Sequence, residues 1–272
     1  MREVAIGRFR VALPDQLEVA SRRQSIYGVT VRTAPLGDVS IEEHWKALRA
    51  RRGPEAREIP FPDHARGLWY APYPAVPSNV VLEAMRPMGD HAVWLTRPAT
   101  AGKEDPAERL TAKLLSVYAP GTAFGFCAEQ GSIRMEGSLT EATALSLVHK
   151  TTPGVKVEME TKTVISPDTS TLSSLTEERL VMKAAGGTLD VRSQRDRTIA
   201  GMTGKEFRVA IAPPGETAKL RYTWQFSGEP RNPARPHINI GGTAEAATQT
   251  ALDSGWEDVL GSLASVPMEA PR

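Results

Sequence analysis

The chain has 272 residues, 40% of them hydrophobic and 24% charged, enough for a buried core in one large domain or two of ordinary size. Its 33 basic and 32 acidic residues leave a formal net charge of +1, which argues against a nucleic-acid binder, since such proteins normally carry a basic excess. The single cysteine, Cys127, excludes an intramolecular disulfide and a cysteine-only metal site, and no apolar run reaches the ~20 residues that span a bilayer.

Residues 4–13 read as one strand, with Val4, Ile6, Phe9, Val11 and Leu13 in imperfect alternation and Pro14-Asp15 as its stop. A second strand is expected over 26–33. Ser40-Ile-Glu-Glu43 is a capping-box pattern, in which the serine oxygen accepts the Glu43 N–H and the Glu43 carboxylate reaches back. The helix it opens places Ile41, Trp45 and Leu48 on one face and stops at Gly53-Pro54. Residues 60–77 interleave five prolines with Trp69, Tyr70 and Tyr73. Proline removes ladder donors, so a loop or a bent edge strand is expected. Strands follow at Val80–Met88 and Ala92–Thr96. A second helix opens at Asp105-Pro106-Ala-Glu108, another capping box, with proline where its missing N–H costs nothing. Its stripe is Leu110, Leu114 and Val117, and Ala119-Pro120-Gly121 ends it.

The second half repeats this order. Strands are expected at 123–127, 132–136, 143–149 and 155–165, with a polar turn at Glu129-Gln130-Gly131. A helix is expected over 172–184, with Ser174-Leu-Thr-Glu177 as its box. Further strands are expected at 188–194, 204–211, 218–227 and 236–241. A last helix is expected from Ser254-Gly-Trp-Glu257, where Trp256, Val259, Leu260 and Leu263 keep helical spacing. Sequential strands interrupted by single helices imply an α+β fold: two antiparallel-rich domains of similar strands–helix–strands–helix layout, 1–120 and 121–272, with a cleft between them.

No catalytic, cofactor-binding or metal-binding residue can be assigned. His44, His64, His91, His149 and His237 show no zinc-ligand spacing, and His44, beside the buried-face Trp45, reads as a surface or boundary residue. There is no Gly-x-Ser-x-Gly elbow. Gly201-Met-Thr-Gly204-Lys205 lacks the length and the hydroxyl residue of a phosphate loop and reads as a hairpin turn. Glu43, Glu108, Glu177 and Glu257 read as helix-cap partners. The basic clusters Arg49, Arg51, Arg52 and Arg192, Arg195, Arg197 read as a solvated helix end and strand face. Tyr222, Trp224 and Phe226 alternate on one strand; without basic excess they read as core, not as a nucleic-acid stacking face. Trp69, Tyr70 and Tyr73 fit either a rigid partner-contacting loop or aromatics folded back on the first domain. By elimination the chain acts by binding, and its partner-binding residues stay unassigned.

Several short stretches, in order, carry a resemblance: Gly7-Arg8-Phe9-Arg10-Val11-Ala12-Leu13-Pro14, the central Gly125-Phe126-Cys127, Gly201-Met-Thr-Gly204-Lys205-Glu206, Tyr222-Thr-Trp224-Gln225-Phe226, Pro236-His-Ile238-Asn-Ile240 and Trp256-Glu-Asp-Val-Leu260-Gly-Ser262-Leu263. Together they resemble the two-domain immunity proteins paired with the type-4 phospholipase effectors of type VI secretion. The resemblance implies a binding protein without cofactor or enzymatic activity that blocks substrate access to a cognate phospholipase toxin in the periplasm. It also implies an exported protein, yet Met1-Arg2-Glu3 leads directly into a strand pattern with no visible signal peptide, as expected of a mature or truncated form. Many relatives carry a second cysteine just ahead of the first glycine-led strand; Ala5-Ile6 stands there in this chain, so Cys127 is expected to be a buried small residue. The alternatives from other classes are a periplasmic small-molecule or lipid-binding module, with a groove between the domains as its pocket, and a divergent hydrolase.

Overall fold

The computed structural model describes residues 1–37, 40–73, 75–135, 140–166 and 171–267, without the side chains of 171–174. In chain order the elements are β1 (Arg2–Ile6), β2 (Phe9–Leu13), β3 (Leu17–Ile26), β4 (Val29–Pro35), α1 (Ile41–Arg52), β5 (Arg57–Pro60), β6 (Arg66–Tyr70), β7 (Asn79–Met88), β8 (His91–Thr100) and α2 (Asp105–Val117). Then come β9 (Tyr118–Pro120), β10 (Phe126–Ala128), β11 (Gly131–Ile133), β12 (Ala142–His149), β13 (Lys156–Lys162), α3 (Thr171–Ala184), β14 (Thr188–Ile199), β15 (Met202–Ala212), β16 (Lys219–Phe226), β17 (His237–Glu245), α4 (Gln249–Ser262) and β18 (Ala264–Ser265). The fold is mixed, dominated by large antiparallel sheets. The chain forms two compact units: Met1–Arg23 with Gly137–Val266, and Gln24–Glu136 with Pro267–Arg272. These differ from the division expected at residue 120. Strand pairing is long-range, so β18 pairs with β2 and draws the N-terminal strands to the C-terminal elements, whereas β9–β11 pack with α2.

In the first unit β14, β15, β16, β17, β13 and β12 lie side by side, with the leading part of β3 next to β12. Even-numbered residues of β16 and β17 (Leu220, Tyr222, Trp224, Ile238, Ile240) join Leu145, Leu147, Val157 and Met159 on one buried face. The β1–β2 hairpin and α4 cover that face through Ile6, Phe9, Val11, Leu252, Trp256, Val259 and Leu260. The expected single strand over 4–13 is therefore two strands. Its alternation changes phase at Gly7-Arg8, where Gly7 takes φ +59° and Ile6 pairs with Phe9 across a two-residue turn. A glycine also sets how closely α4 seats: a Cβ on Gly242 would lie 3.0 Å from carbons of both Leu252 and Trp256.

In the second unit the end of β3 is followed by β4, β8, β7, β6 and β5. Helix α1 lays Trp45 and Leu48 on one face of this sheet, against Leu68, Met85, Ala92 and Trp94. On the other face Leu114 and Leu115 of α2 share a cluster with Ala84, Val93, Leu95, Tyr118 and Phe126. All four expected helices exist, and the Ser40–Glu43 capping box is formed in full. Three other boxes are not formed as read. Glu104, not Asp105, is the N-cap of α2 and makes no side-chain cap bond. Ser174 lies inside α3, and Ser254 lies inside α4, which starts five residues earlier than expected, at Gln249. Strand β3 escaped the sequence reading because its run Ser21-Arg-Arg-Gln24 is polar; Gln24 is buried and donates through its amide to the Cys127 carbonyl. Cys127 is buried as expected, with its thiol 3.2 Å from the Thr122 carbonyl.

Candidate partner-binding surface

The proline-rich stretch resolves into the edge strand β5, then β6, then a loop, and it separates its three aromatics. Trp69 folds inward, buried, and its indole donates to Glu108 Oε1 at 2.7 Å. Tyr70 is half-buried beneath the Arg52 guanidinium, 4.2 Å from ring centroid to cation. Burial, then the neighbouring Glu83 charge, pushes its phenol above the usual range. Tyr73 alone is exposed, at 65%, with Val76 at 42% close behind. Pro72 and Tyr73 close one side of an open hollow of about 540 Å³, whose other walls are Asn79, Val80, Val81, Pro98, Ala99 and Thr100. Of the two fates the sequence left open, Trp69 takes the inward one, whereas Tyr73 stays at the surface.

Beside this hollow is a buried carboxylate. Glu83 of β7 is 2% exposed; its Oε1 accepts from Arg32 Nη2 at 2.9 Å, and its Oε2 accepts from Arg52 Nη2 at 2.8 Å and Nε at 3.3 Å. Arg32 in turn stacks on Trp94 at 4.9 Å. Thus Arg52, expected only as part of a solvated helix end, is held by a buried partner and an aromatic ring. Residue-type patterns gave no signal for Glu83, because its partners come from β4 and α1, up to 51 residues away.

The first unit contains a second buried carboxylate. Glu206 of β15 is fully buried and accepts from Arg195 Nε at 2.8 Å, Arg208 Nε at 3.0 Å, Arg197 Nη1 at 3.3 Å and Trp256 Nε1 at 3.1 Å. Burial by itself would raise its pKa, but the hydrogen bonds from Arg195, Trp256 and Arg208 outweigh it and hold the carboxyl at about 2. Arg197 and Arg208 also reach Glu257, so Glu257 is drawn into this network and not into a cap. Here three arginines meet three carboxylates (Glu206, Glu257 and Asp253), leaving no local excess. On the other side of the same sheet α3 is fastened by Arg221 to Glu178 at 2.8 and 2.6 Å, and it leaves Leu180 (64%) and Val181 (67%) exposed.

The histidines separate as well. His44 is half-buried with Nε2 3.2 Å from the Leu36 carbonyl. His91 is buried between Asp90, at 2.9 Å, and the Tyr118 hydroxyl, at 3.4 Å. This row ties the start of β8 to β9. Tyr222, Trp224 and, in part, Phe226 pack in the core as read. Gly201 does lie in a hairpin turn, with Ala200, but Gly204 and Lys205 belong to β15. Among the described residues no group of three or more His, Cys, Asp or Glu side chains could hold a metal ion.

No curated protein sequence matches the chain. Among solved structures, the apo immunity protein TplEi of the type VI secretion system from Pseudomonas aeruginosa superposes with a TM-score of 0.76 at 15% identity, covering 98% of this chain and 97% of that one. A chain of the Tle4–Tli4 complex superposes with a TM-score of 0.77 at 16% identity, covering 98% of both. TplEi bound to an "L" peptide gives a TM-score of 0.76 at 15% identity, over 97% of this chain and 98% of that one. At these identities the likeness establishes a shared fold. Residues 120–262, more than half the chain, match the family model for the C-terminal domain of Tle cognate immunity protein 4, and the chain belongs to that immunity-protein family.

Proposed function

We propose that the chain binds a phospholipase effector of type VI secretion and neutralises it by keeping bulky substrate from the lipase active site. The observation that carries this reading is the family match over 120–262, supported by a fold shared end to end with a chain of the Tle4–Tli4 complex. The surfaces are of the kind that binding uses: exposed Tyr73 and Val76 in one unit, exposed Leu180 and Val181 in the other, each near arginine–carboxylate clusters. Both units contribute contacts, in a total interface larger than the ~1,600 Å² of a standard complex. The protein acts without turnover of its own, in the periplasm. Among the described residues no helix is long and apolar enough to cross a membrane.

The test is co-expression of a type VI phospholipase effector from the same genome, directed to the periplasm, with and without this protein. The expected result is survival only with it, together with a complex that co-purifies at equal stoichiometry. In vitro, phospholipid hydrolysis should fall to background at one equivalent while a small soluble ester is still cleaved, because occlusion spares the nucleophile. Equal loss of both activities would refute blocked access, and absence of any complex would refute the immunity role. The competing small-molecule or lipid-binding reading has a candidate in the open hollow beside Tyr73; stoichiometric lipid co-purifying with the chain is the result that would favour it.

A further inference from the structure

The face of the second unit's sheet that carries α1 can be followed row by row. Met85 lies opposite Trp94, and Trp94 opposite Arg32. The next row is Leu68, Glu83, Thr96 and Thr30; the next is Tyr70, Val81 and Pro98; the last is Asn79 and Thr100. Helix α1 covers the first row through Trp45 and Leu48, and no α1 residue is among the walls of the hollow, which takes Val81, Pro98, Asn79 and Thr100 from the last two rows together with Val80 and Ala99 between them. Arg32 and Arg52 therefore stand at the border, with the covered core on one side and the apolar hollow on the other.

These arginines are unlike ordinary surface cations. Each is anchored twice, to Glu83 and to an aromatic ring, so its rotamer freedom is already lost before any partner arrives. Their side chains nevertheless remain 54% and 33% exposed. Two guanidinium charges against one carboxylate leave one positive charge in excess, and among the described residues the hydrogen bonds to Glu83 use Arg32 Nη2 and Arg52 Nε and Nη2, leaving Arg32 Nε and Nη1 and Arg52 Nη1 outside them. Planar, oriented N–H groups of this kind suit a carboxylate. The exposed Tyr73 and the walls Val81 and Pro98 suit an apolar side chain next to it.

We propose that this border is a docking site for an extended acidic-x-apolar segment of a protein partner, the carboxylate on Arg32 and Arg52 and the apolar side chain in the hollow against Tyr73. The spacing fixes the pattern. Successive same-face rows of a sheet lie about 7 Å apart, the separation of residues i and i+2 in an extended chain. Naming the partner as the phospholipase effector rests on the reading above; the chemistry of the site does not.

The experiment measures binding of the same purified phospholipase effector to the full chain by calorimetry, with Tyr73→Ala, Arg32→Gln and Arg32→Lys variants whose melting curves are recorded alongside. Tyr73→Ala and Arg32→Gln are each expected to weaken binding by roughly tenfold or more, the scale of interface hot spots. Raising the salt should weaken the wild type more than Arg32→Gln. Arg32→Lys, which keeps the charge and loses the planar fork, should fall between. If Arg32→Gln melts low, Tyr73→Ala and Arg32→Lys carry the test. Variants that melt normally and bind within about twofold of wild type would overturn the site while leaving the immunity reading intact. A wild-type chain that forms no complex would remove both. Anionic phosphatidylglycerol vesicles that bind the chain and are lost on the same substitutions would overturn the protein-segment assignment in favour of a lipid surface.

Discussion

Replacing Trp256 with alanine tests how the first unit is held together. The indole is fully buried, meets Tyr222 edge-on at 5.8 Å and 77°, faces Gly242 across a gap where a Cβ would come within 3.0 Å of the ring, and donates to Glu206 at 3.1 Å. A buried aromatic of this class removes about 150–250 Å² from water. At about 25 cal/mol per Å², truncation forfeits about 4–6 kcal/mol before relaxation. Glu206 loses one neutral donor but keeps three arginines, so no unpaired charge is left and the hydrogen-bond term adds only about 1 kcal/mol. Part of the Trp256 area is already hidden in the unfolded chain, which brings the expected loss to about 3–5 kcal/mol. Urea unfolding followed by far-UV circular dichroism measures it free of the lost indole signal. Trp256→Phe, which refills most of the volume, should cost less than half as much. A loss below about 1 kcal/mol for alanine would refute the claim that α4 is seated on the sheet through this ring.

Glu206 should make the same unit sensitive to acid. Its folded pKa of about 2 lies below the ordinary glutamate value of 4.5, so its stabilisation is present above that value and disappears as pH falls towards 2. The shift corresponds to roughly 3 kcal/mol, and Glu206→Gln should flatten the stability–pH curve in that window; an unchanged curve would refute the assignment. Arg8 and Glu141, joined at 2.7 and 3.0 Å with side chains 3% and 6% exposed, tie the β1–β2 turn to the segment before β12. Glu141→Ala should cost about 3–5 kcal/mol by leaving a buried guanidinium without its main counter-ion, and a thermal melt within a degree of wild type would refute that.

Features that depend on near neighbours along the chain are legible in residue order alone. Composition set the globular class, and the apolar stripes located α1, α2 and α4, because burial of one face imposes the 3.6-residue period wherever the helix lands; α3, whose Leu180 and Val181 stay exposed, carries no such stripe. Ser40 and Glu43 were readable as a capping box since both partners lie within one turn and no stronger partner reaches them. Where distant groups compete for one partner, packing settles the outcome. The helices start elsewhere, at Asp105 after an N-cap at Glu104 and at Gln249, so the boxes spelled at Asp105 and Ser254 do not form, and their glutamates are taken by distant donors, Glu108 by the Trp69 indole and Glu257 by Arg197 and Arg208. Charge-assisted pairing under partial burial outweighs a solvated cap bond, and its partners lie tens of residues away. The same holds for the aromatics, since whether Trp69 or Tyr73 turns inward is set by strand pairing of β6 with β7. Glu83 and Glu206 show the limit most plainly: a lone glutamate in a strand has no local pattern, and only the packed sheet gathers its arginines around it.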